Sequence, residues 1–246
     1  MSKTYPPRGS LRCILDLVQK PNFLPIINGL LVNTGTAISS NDIRFPKGYH
    51  QKAEKELYEF LEIIGEVGLA QQVKNWWLEV HTANTRTPNW DLISTLKTTD
   101  GQPGILLVEA KAHHGELESS GKSIILYAPE NSTIKVASEN SIRNHNKIKA
   151  AIEEANTDIS IQIPTSQISI DCCYQLSNRV AHAWWLANKG YPVVLMYLGF
   201  MECKDMPGRR LFIQNTDWPT CFDKKMNQVG LTGMASKKYH FGRGSL

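Results

Sequence analysis

The sequence predicts a single mixed α/β domain, and three observations carry that expectation. The stretch Gln51–Val67 repeats Ala53, Leu57, Phe60, Leu61 and Ile64 at helical spacing. Two strand-like runs, Asp91–Lys97 and Gly104–His113, flank Thr98-Thr99-Asp100-Gly101-Gln102-Pro103, where Asp-Gly and a nearby Pro punctuate a hairpin. A second helical stretch, Cys172–Lys189, leads into Tyr191–Phe200, an unbroken apolar run typical of a strand covered on both faces. A chain of 246 residues is long enough for one domain with a sizeable core.

Taken in order, residues 1–49 read as an N-terminal extension that packs on the core or shapes a cleft. Leu11, Ile14, Leu15 and Val18 predict a short helix, Pro21 and Pro25 interrupt the next stretch, and Ile26–Val32 is apolar before Asn33-Thr34-Gly35. The core spans about 50–200. Its first helix is Gln51–Val67, closed by Gly68. Trp76–His81 reads as the first strand, because two aromatics, a Leu and a Val suit a half-buried pleat. Thr82–Asn89 is polar loop, with Arg86 placed to contact a phosphate. Residues from about 114 to 170 form an insertion: a Ser/Asn-rich segment with the apolar run Ile124–Tyr127, then a helix from about Glu139 to Asn156. Ile142, Ile148, Ala151, Ile152 and Ala155 line that helix's buried side, and Arg143, His145, Lys147 and Lys149 its basic flank. Ile159–Ile163 and Ile168–Ile170 read as short strands. Asp171 is a fitting N-cap for the next helix, and Gly190 a fitting close. Residues 201–246 form a basic C-terminal segment.

The hairpin carries the chemistry. Side chains alternate along its second strand, so Leu107, Glu109 and Lys111 share one face while Val108, Ala110 and Ala112 share the other. A Glu and a Lys in so apolar a strand must pair, bind a metal or line a wet cleft, because burying an unpaired charge is costly. With Asp91 on the partner strand, the pattern is Asp-x17-Glu-Ala-Lys. A second Glu-x-Lys, Glu202-Cys203-Lys204, comes after the last strand without an upstream acid.

Asp91, Glu109 and Lys111 in this hairpin resemble the active-site signature of the PD-(D/E)XK nuclease superfamily, with its restriction-endonuclease-like fold. The likeness is firm over Asp91–Lys111 and extends by element order over roughly Gln51–Phe200. The proline stands early, as Pro88-Asn89-Trp90-Asp91. The resemblance implies an αβββαβ core with a central mixed sheet flanked by helices. It implies that Asp91, Glu109 and the Ala110 carbonyl hold Mg²⁺, for which Mn²⁺ can substitute, and that Lys111 stands beside the ion. Because the family's first helix can offer an acid to the metal, Glu56 or Glu54 is a candidate further ligand, against the alternative of a solvated Glu on a charged helix. Gln175 matches the polar residue that relatives place near the metal, while Asn178 and Arg179 are candidates for a nucleic-acid backbone contact. The alternative for all three is an exposed helix start.

The implied activity is metal-dependent endonucleolytic hydrolysis of DNA, in restriction, other defence or repair, with RNA not excluded as substrate. The competing readings are a non-cleaving nucleic-acid-binding or assembly protein on the same fold, and an unrelated α/β protein in which Glu109 and Lys111 form a structural ion pair. Cutting both strands of a duplex would suit a homodimer. Net charge is only +4, yet residues 201–246 hold eight basic against four acidic side chains, an excess that suits phosphates or a solvated surface equally. His113, His114, Glu116 and Glu118 lack a third ligand at helical or finger spacing for a separate zinc site, and His113 shares the Glu109–Lys111 face, where it could shuttle protons. No apolar run approaches membrane-spanning length, and no secretory apolar region opens the chain. Five cysteines without framework spacing suggest reduced thiols in a cytoplasm. No P-loop, GxGxxG or Ser/His/Asp signature is legible.

Overall fold

The computed structural model describes residues 6–83, 85–127, 133, 135–232 and 240–245, the last as backbone only. It is mixed α/β. Helices α1 (Gly9–Gln19), α2 (Phe23–Leu31), α3 (Leu57–Ile63), α4 (Val67–Trp77), α5 (Glu139–Gln162), α6 (Tyr174–Asn188) and α7 (Asp217–Gln228) cover a six-stranded sheet. The sheet is built on β5 (Leu92–Thr98) and β6 (Pro103–Lys111), the expected antiparallel hairpin, with Leu92 opposite Val108 and Lys97 opposite Pro103. Beyond β6 lie β7 (Val193–Gly199) and β8 (His240–Ser245), both parallel to their neighbours. On the other edge, β1 (Thr36–Ala37) and β2 (Arg44–Phe45) pair antiparallel with opposite ends of β5. A separate ribbon joins β3 (Lys55–Glu56) to β4 (Asn89–Trp90).

Strict alternation along the central strands gives the sheet two apolar faces. Ile105, Leu107, Val193, Leu195 and Tyr197 pack with α3 to α7, while Leu106, Val108, Ala110, Val194, Met196 and Leu198 pack with α1 and α2. Burying both faces is why β7 is apolar at every position. Residues 1–49 are therefore part of the fold: α1 and α2 seal one face, and β1 and β2 extend the sheet. Pro25 does not prevent α2, since it lies in the first turn, where backbone N–H groups have no intrahelical partner.

Other expectations are corrected. Trp76 and Trp77 are not strand residues; they end α4, whose buried Leu69, Ala70, Val73 and Trp77 recur at helical spacing. Both rings pack on His182 of α6, and Trp76 also stacks near Trp185. Gly68 lies inside α4, and Gln51–Val67 is not one helix. Residues 52–54 are irregular, β3 pairs with β4, and α3 starts only at Leu57, with Glu56 and Glu59 forming a capping box. The helix of the insertion runs on to Gln162, so Ile159 is helical, and Ile168–Ile170 forms no strand. Asp171 is not the N-cap of α6; Cys173 holds that position in a left-handed conformation (φ 46°), without a side-chain cap hydrogen bond. Two of the five thiols are not free, because Cys13 of α1 and Cys203 after β7 are joined as a disulfide, leaving Cys172, Cys173 and Cys221. Lys237 and Lys238 of the basic segment lie outside the described residues. Among the described residues, no helix is long and apolar enough to cross a membrane.

The close of β7 gives a stability test. Gly199 lies flush against the Trp218 indole, which is fully buried beside Phe212 and Phe222, so any Cβ at 199 would overlap the ring. Gly199→Ala should cost about 1–3 kcal/mol by overpacking, read as a lower urea midpoint; an unchanged midpoint would show that α7 is not seated as described.

Candidate active site

A cleft of about 750 Å³ opens where the ends of β4, β6 and α6 meet, and Glu54, Asp91, Glu109, Lys111, Gln175 and Arg179 all line it. Asp91 occupies the break between β4 and β5 rather than a strand position. Its carboxylate Oδ2 accepts a 2.7 Å hydrogen bond from the Ala110 amide, which ties the break to β6. Alternation puts Glu109 and Lys111 on the sheet face that α6 covers, and both are buried.

Glu109 is the hub. The Lys111 ammonium donates to its Oε1 at 2.5 Å, and Arg179 Nε of α6 donates to its Oε2 at 2.6 Å. Arg179 is itself buried, and each of its three nitrogens donates a hydrogen bond. It donates to the Asn89 carbonyl at 2.8 Å and to Asn178 Oδ1 at 3.1 Å, and its guanidinium carbon sits 4.7 Å from the Trp90 ring centroid. Burial alone would raise the Glu109 pKa, but Arg179 and Lys111 together outweigh it and hold the carboxyl below its ordinary value.

The other two acids behave oppositely. Withdrawal from water raises Asp91 well above the usual carboxylate range; the charges of Glu109 and Glu54 add to the rise, against Lys111 and the Ala110 amide. Glu54 is raised too, first by burial and then by the charge of Glu109, with Asp91, Arg179 and Lys111 acting against the rise. Two neighbouring carboxyl groups in one cleft, both raised, form a pair that retains a proton that a solvated pair would release.

Of the two candidate acids near the first helix, the structure brings Glu54, not Glu56, to Asp91. Glu56 is buried elsewhere, accepting from the Thr87 amide at 2.5 Å and hydroxyl at 2.6 Å, with Arg86 at 3.7 Å. Gln175 lines the cleft. Arg179 does not face outward for a nucleic-acid backbone; it turns inward to Glu109. His113 lines the cleft, but its Nδ1 accepts from the Gly115 amide, which places its proton on Nε2, 3.8 Å from Glu116 Oε1. Glu116 in turn accepts from the Ala112 and His113 amides and so terminates β6. Sequence reasoning missed the Arg179–Glu109 pair. An Arg among the apolar positions of α6 was its only sign, and spacing along the chain does not reveal a partner 70 residues away.

The donor chemistry fits a hard cation. Asp91, Glu54 and Glu109 offer oxygen ligands of the kind Mg²⁺ takes. The cleft is lined by five acidic side chains, Glu54, Asp91, Glu109, Glu116 and Glu118, against four cations, Arg86, Lys111, Arg179 and Arg209. A phosphodiester would meet no net attraction there without an added positive charge. Among the described residues, no group of three or more His, Cys, Asp or Glu side chains is already disposed around a metal position. No protein-family model, curated protein or solved structure matches this chain.

Two outcomes test this geometry. Because the folded-state pKa of Asp91 lies above its unfolded value, its contribution to stability is fully present below about pH 4 and is lost as pH rises through the folded-state value. Asp91→Asn keeps an acceptor for the Ala110 amide, so it should melt higher than the wild type at neutral pH, with the difference vanishing near pH 4. A variant less stable at pH 7 would contradict the raised pKa. Arg179→Met should cost about 3 kcal/mol in urea unfolding, since it leaves half of a buried ion-pair network unpaired; a neutral result would mean that Lys111 alone suffices for Glu109.

Proposed function

We propose that this cleft hydrolyses phosphodiester bonds in DNA with Mg²⁺, on a restriction-endonuclease-like core of the PD-(D/E)XK superfamily. The observation that carries the reading is the convergence of Asp91, Glu109 and Lys111 in one open cleft. The hairpin β5–β6, the helix α6 and the parallel strand β7 succeed one another in the order the resemblance requires. The strand expected before the hairpin is absent from residues 76–81, while β1 and β2 supply strands at that edge of the sheet.

Asp91, Glu109 and the Ala110 carbonyl would hold the ion, with Glu54 as a further oxygen donor. The bound ion would make a coordinated water more acidic and offset charge on the phosphorane. The chain's own residues do the rest. Arg179 fixes the Glu109 carboxylate from the α6 side, so Oε1 stays toward Lys111. The Lys111 ammonium offsets negative charge that develops on the phosphoryl oxygens. Asp91 must give up the proton that it and Glu54 retain before it can act as an anionic ligand, so activity should rise with pH through its raised pKa.

One observation favours a second reading, a nucleic-acid-binding protein on the same fold that does not cleave: both Glu109 oxygens are already taken by cations. Cleavage of supercoiled plasmid and of single-stranded DNA with Mg²⁺, Mn²⁺ or EDTA separates the two. The nuclease should cut only with metal, lose on the order of a hundredfold or more in rate in Lys111→Ala, and show a rising acid limb in its pH profile. No cutting, combined with a Mg²⁺-dependent rise in melting temperature that Asp91→Asn abolishes, would select the binding reading. Neither cutting nor a metal-dependent shift would leave Glu109 and Lys111 as a structural pair.

A further inference from the structure

Beside the acidic cleft lies a second cavity of about 420 Å³ with the opposite character. Its apolar lining is the buried Leu78 and Ile148, which form the floor, with the half-buried Ile124 and the exposed Ile125 beside them. Its polar rim carries Arg86, Lys122 and Lys135, and no acid lines it among the described residues. Ser141, Asn144 and His145 bring the first turns of α5, a 24-residue helix capped by Ser138, to the same cavity, adding the positive end of its dipole. His145 is held below its ordinary pKa, first by burial and then by Lys122, so it is a neutral wall.

This compartment is built. The Ala137 amide donates to the Ile125 carbonyl at 2.8 Å and ties together two of the lining residues. The Lys122 amide donates to the Ile170 carbonyl at 2.8 Å. Asn144 accepts from the Glu79 and Val80 amides and donates to the Val80 carbonyl, pinning α5 to the segment after α4.

The two cavities also adjoin at two points. Arg86 lines both, and the Lys122 ammonium of the second lies 5.1 Å from the ring centroid of Tyr174, which lines the first. An apolar floor under a cationic rim has the chemistry of a nucleotide: base against Ile124, Ile125 and Ile148, phosphate at Lys122 and Lys135. A base in a duplex is stacked and paired and cannot enter such a recess, whereas an unpaired one can.

We propose that this compartment receives an unpaired nucleotide of the same strand whose phosphodiester occupies the acidic cleft, so that the chain acts on single-stranded or locally opened nucleic acid. The inference rests on the cleft being a phosphodiester site. It names a substrate class, a strand with an exposed base beside the reacting phosphate, that the cleft alone does not specify.

The test uses the full chain and an end-labelled oligodeoxythymidylate, with binding read by fluorescence anisotropy in EDTA and cleavage read separately in Mg²⁺. The paired change Lys122→Gln and Lys135→Gln should weaken binding on the order of tenfold at low salt and lower the salt slope by about 0.7 for each phosphate no longer neutralised. Ala137→Trp, which fills the cavity and leaves its charges, should weaken binding without changing that slope. Lys135 and Ala137 are not buried, and melting curves that match the wild type would verify that each variant folds. Wild-type cleavage with both variants binding normally would overturn the nucleotide compartment and leave the nuclease reading standing. An effect of the lysine change alone would reduce the rim to a phosphate track and overturn the base-binding role. A wild-type protein that neither binds nor cuts the oligonucleotide would overturn both readings together.

Discussion

The structure turns on one buried carboxylate, Glu109, clasped on one oxygen by Lys111 and on the other by Arg179. A lone carboxylate could not persist in the middle of a sheet that is apolar on both faces. Two cations make it tolerable, and in doing so they fix three elements against one another. Lys111 belongs to the same strand; Arg179 binds α6 to β6, and through the Asn89 carbonyl it binds α6 to the segment that presents Asp91. The Trp90 ring under the guanidinium completes the clasp. Glu109 is thereby kept ionised, while Asp91 and Glu54, without cations of their own, are pushed toward their neutral forms. Three carboxyl groups within one cleft thus adopt two protonation regimes because of who their neighbours are.

Much of this was legible in the chain where a single periodicity dominates. The hairpin, the apolar β7 and the body of α6 follow from alternation, Asp-Gly punctuation and unbroken hydrophobicity, and the two faces of β6 divide as alternation requires. The expectation for Trp76 and Trp77 failed because two adjacent aromatics fit a pleat as well as a helix end, and Gly65 and Gly68 obscured the helical repeat of Leu69, Val73 and Trp77. The boundary of α3 failed because its capping Glu56 resembles any other residue of a charged helix until Glu59 is seen to answer it. The choice between Glu54 and Glu56 was beyond local reasoning: it depends on whether residues 52–56 are helical or extended, and pairing of β3 with β4 decides that.

The N-terminal residues show how composition can mislead about membership in a core. Two prolines within five positions suggest an irregular arm. Yet Pro25 fits a first helical turn, and α2 covers sheet residues that would otherwise face water. Without α1 and α2, the side of β6 and β7 bearing Val108, Ala110, Met196 and Leu198 would lie open. The segment that appends least obviously to the hairpin is what allows those strands to be apolar on both sides.

The reach of the Glu109 clasp along the chain has a consequence for biosynthesis. Chains emerge from the ribosome N-terminus first, and domains fold as units as they appear. Asp91, Glu109 and Lys111 leave together, but Arg179 trails Glu109 by 70 residues, with α5 made in between. Until α6 is synthesised and docked, the hairpin's carboxylate has one cation instead of two, and the wall of the cleft that Gln175 and Arg179 provide does not exist. The acidic centre is therefore assembled late, once most of the chain is available to enclose it, and a nascent or truncated chain ending before α6 carries the motif without the site.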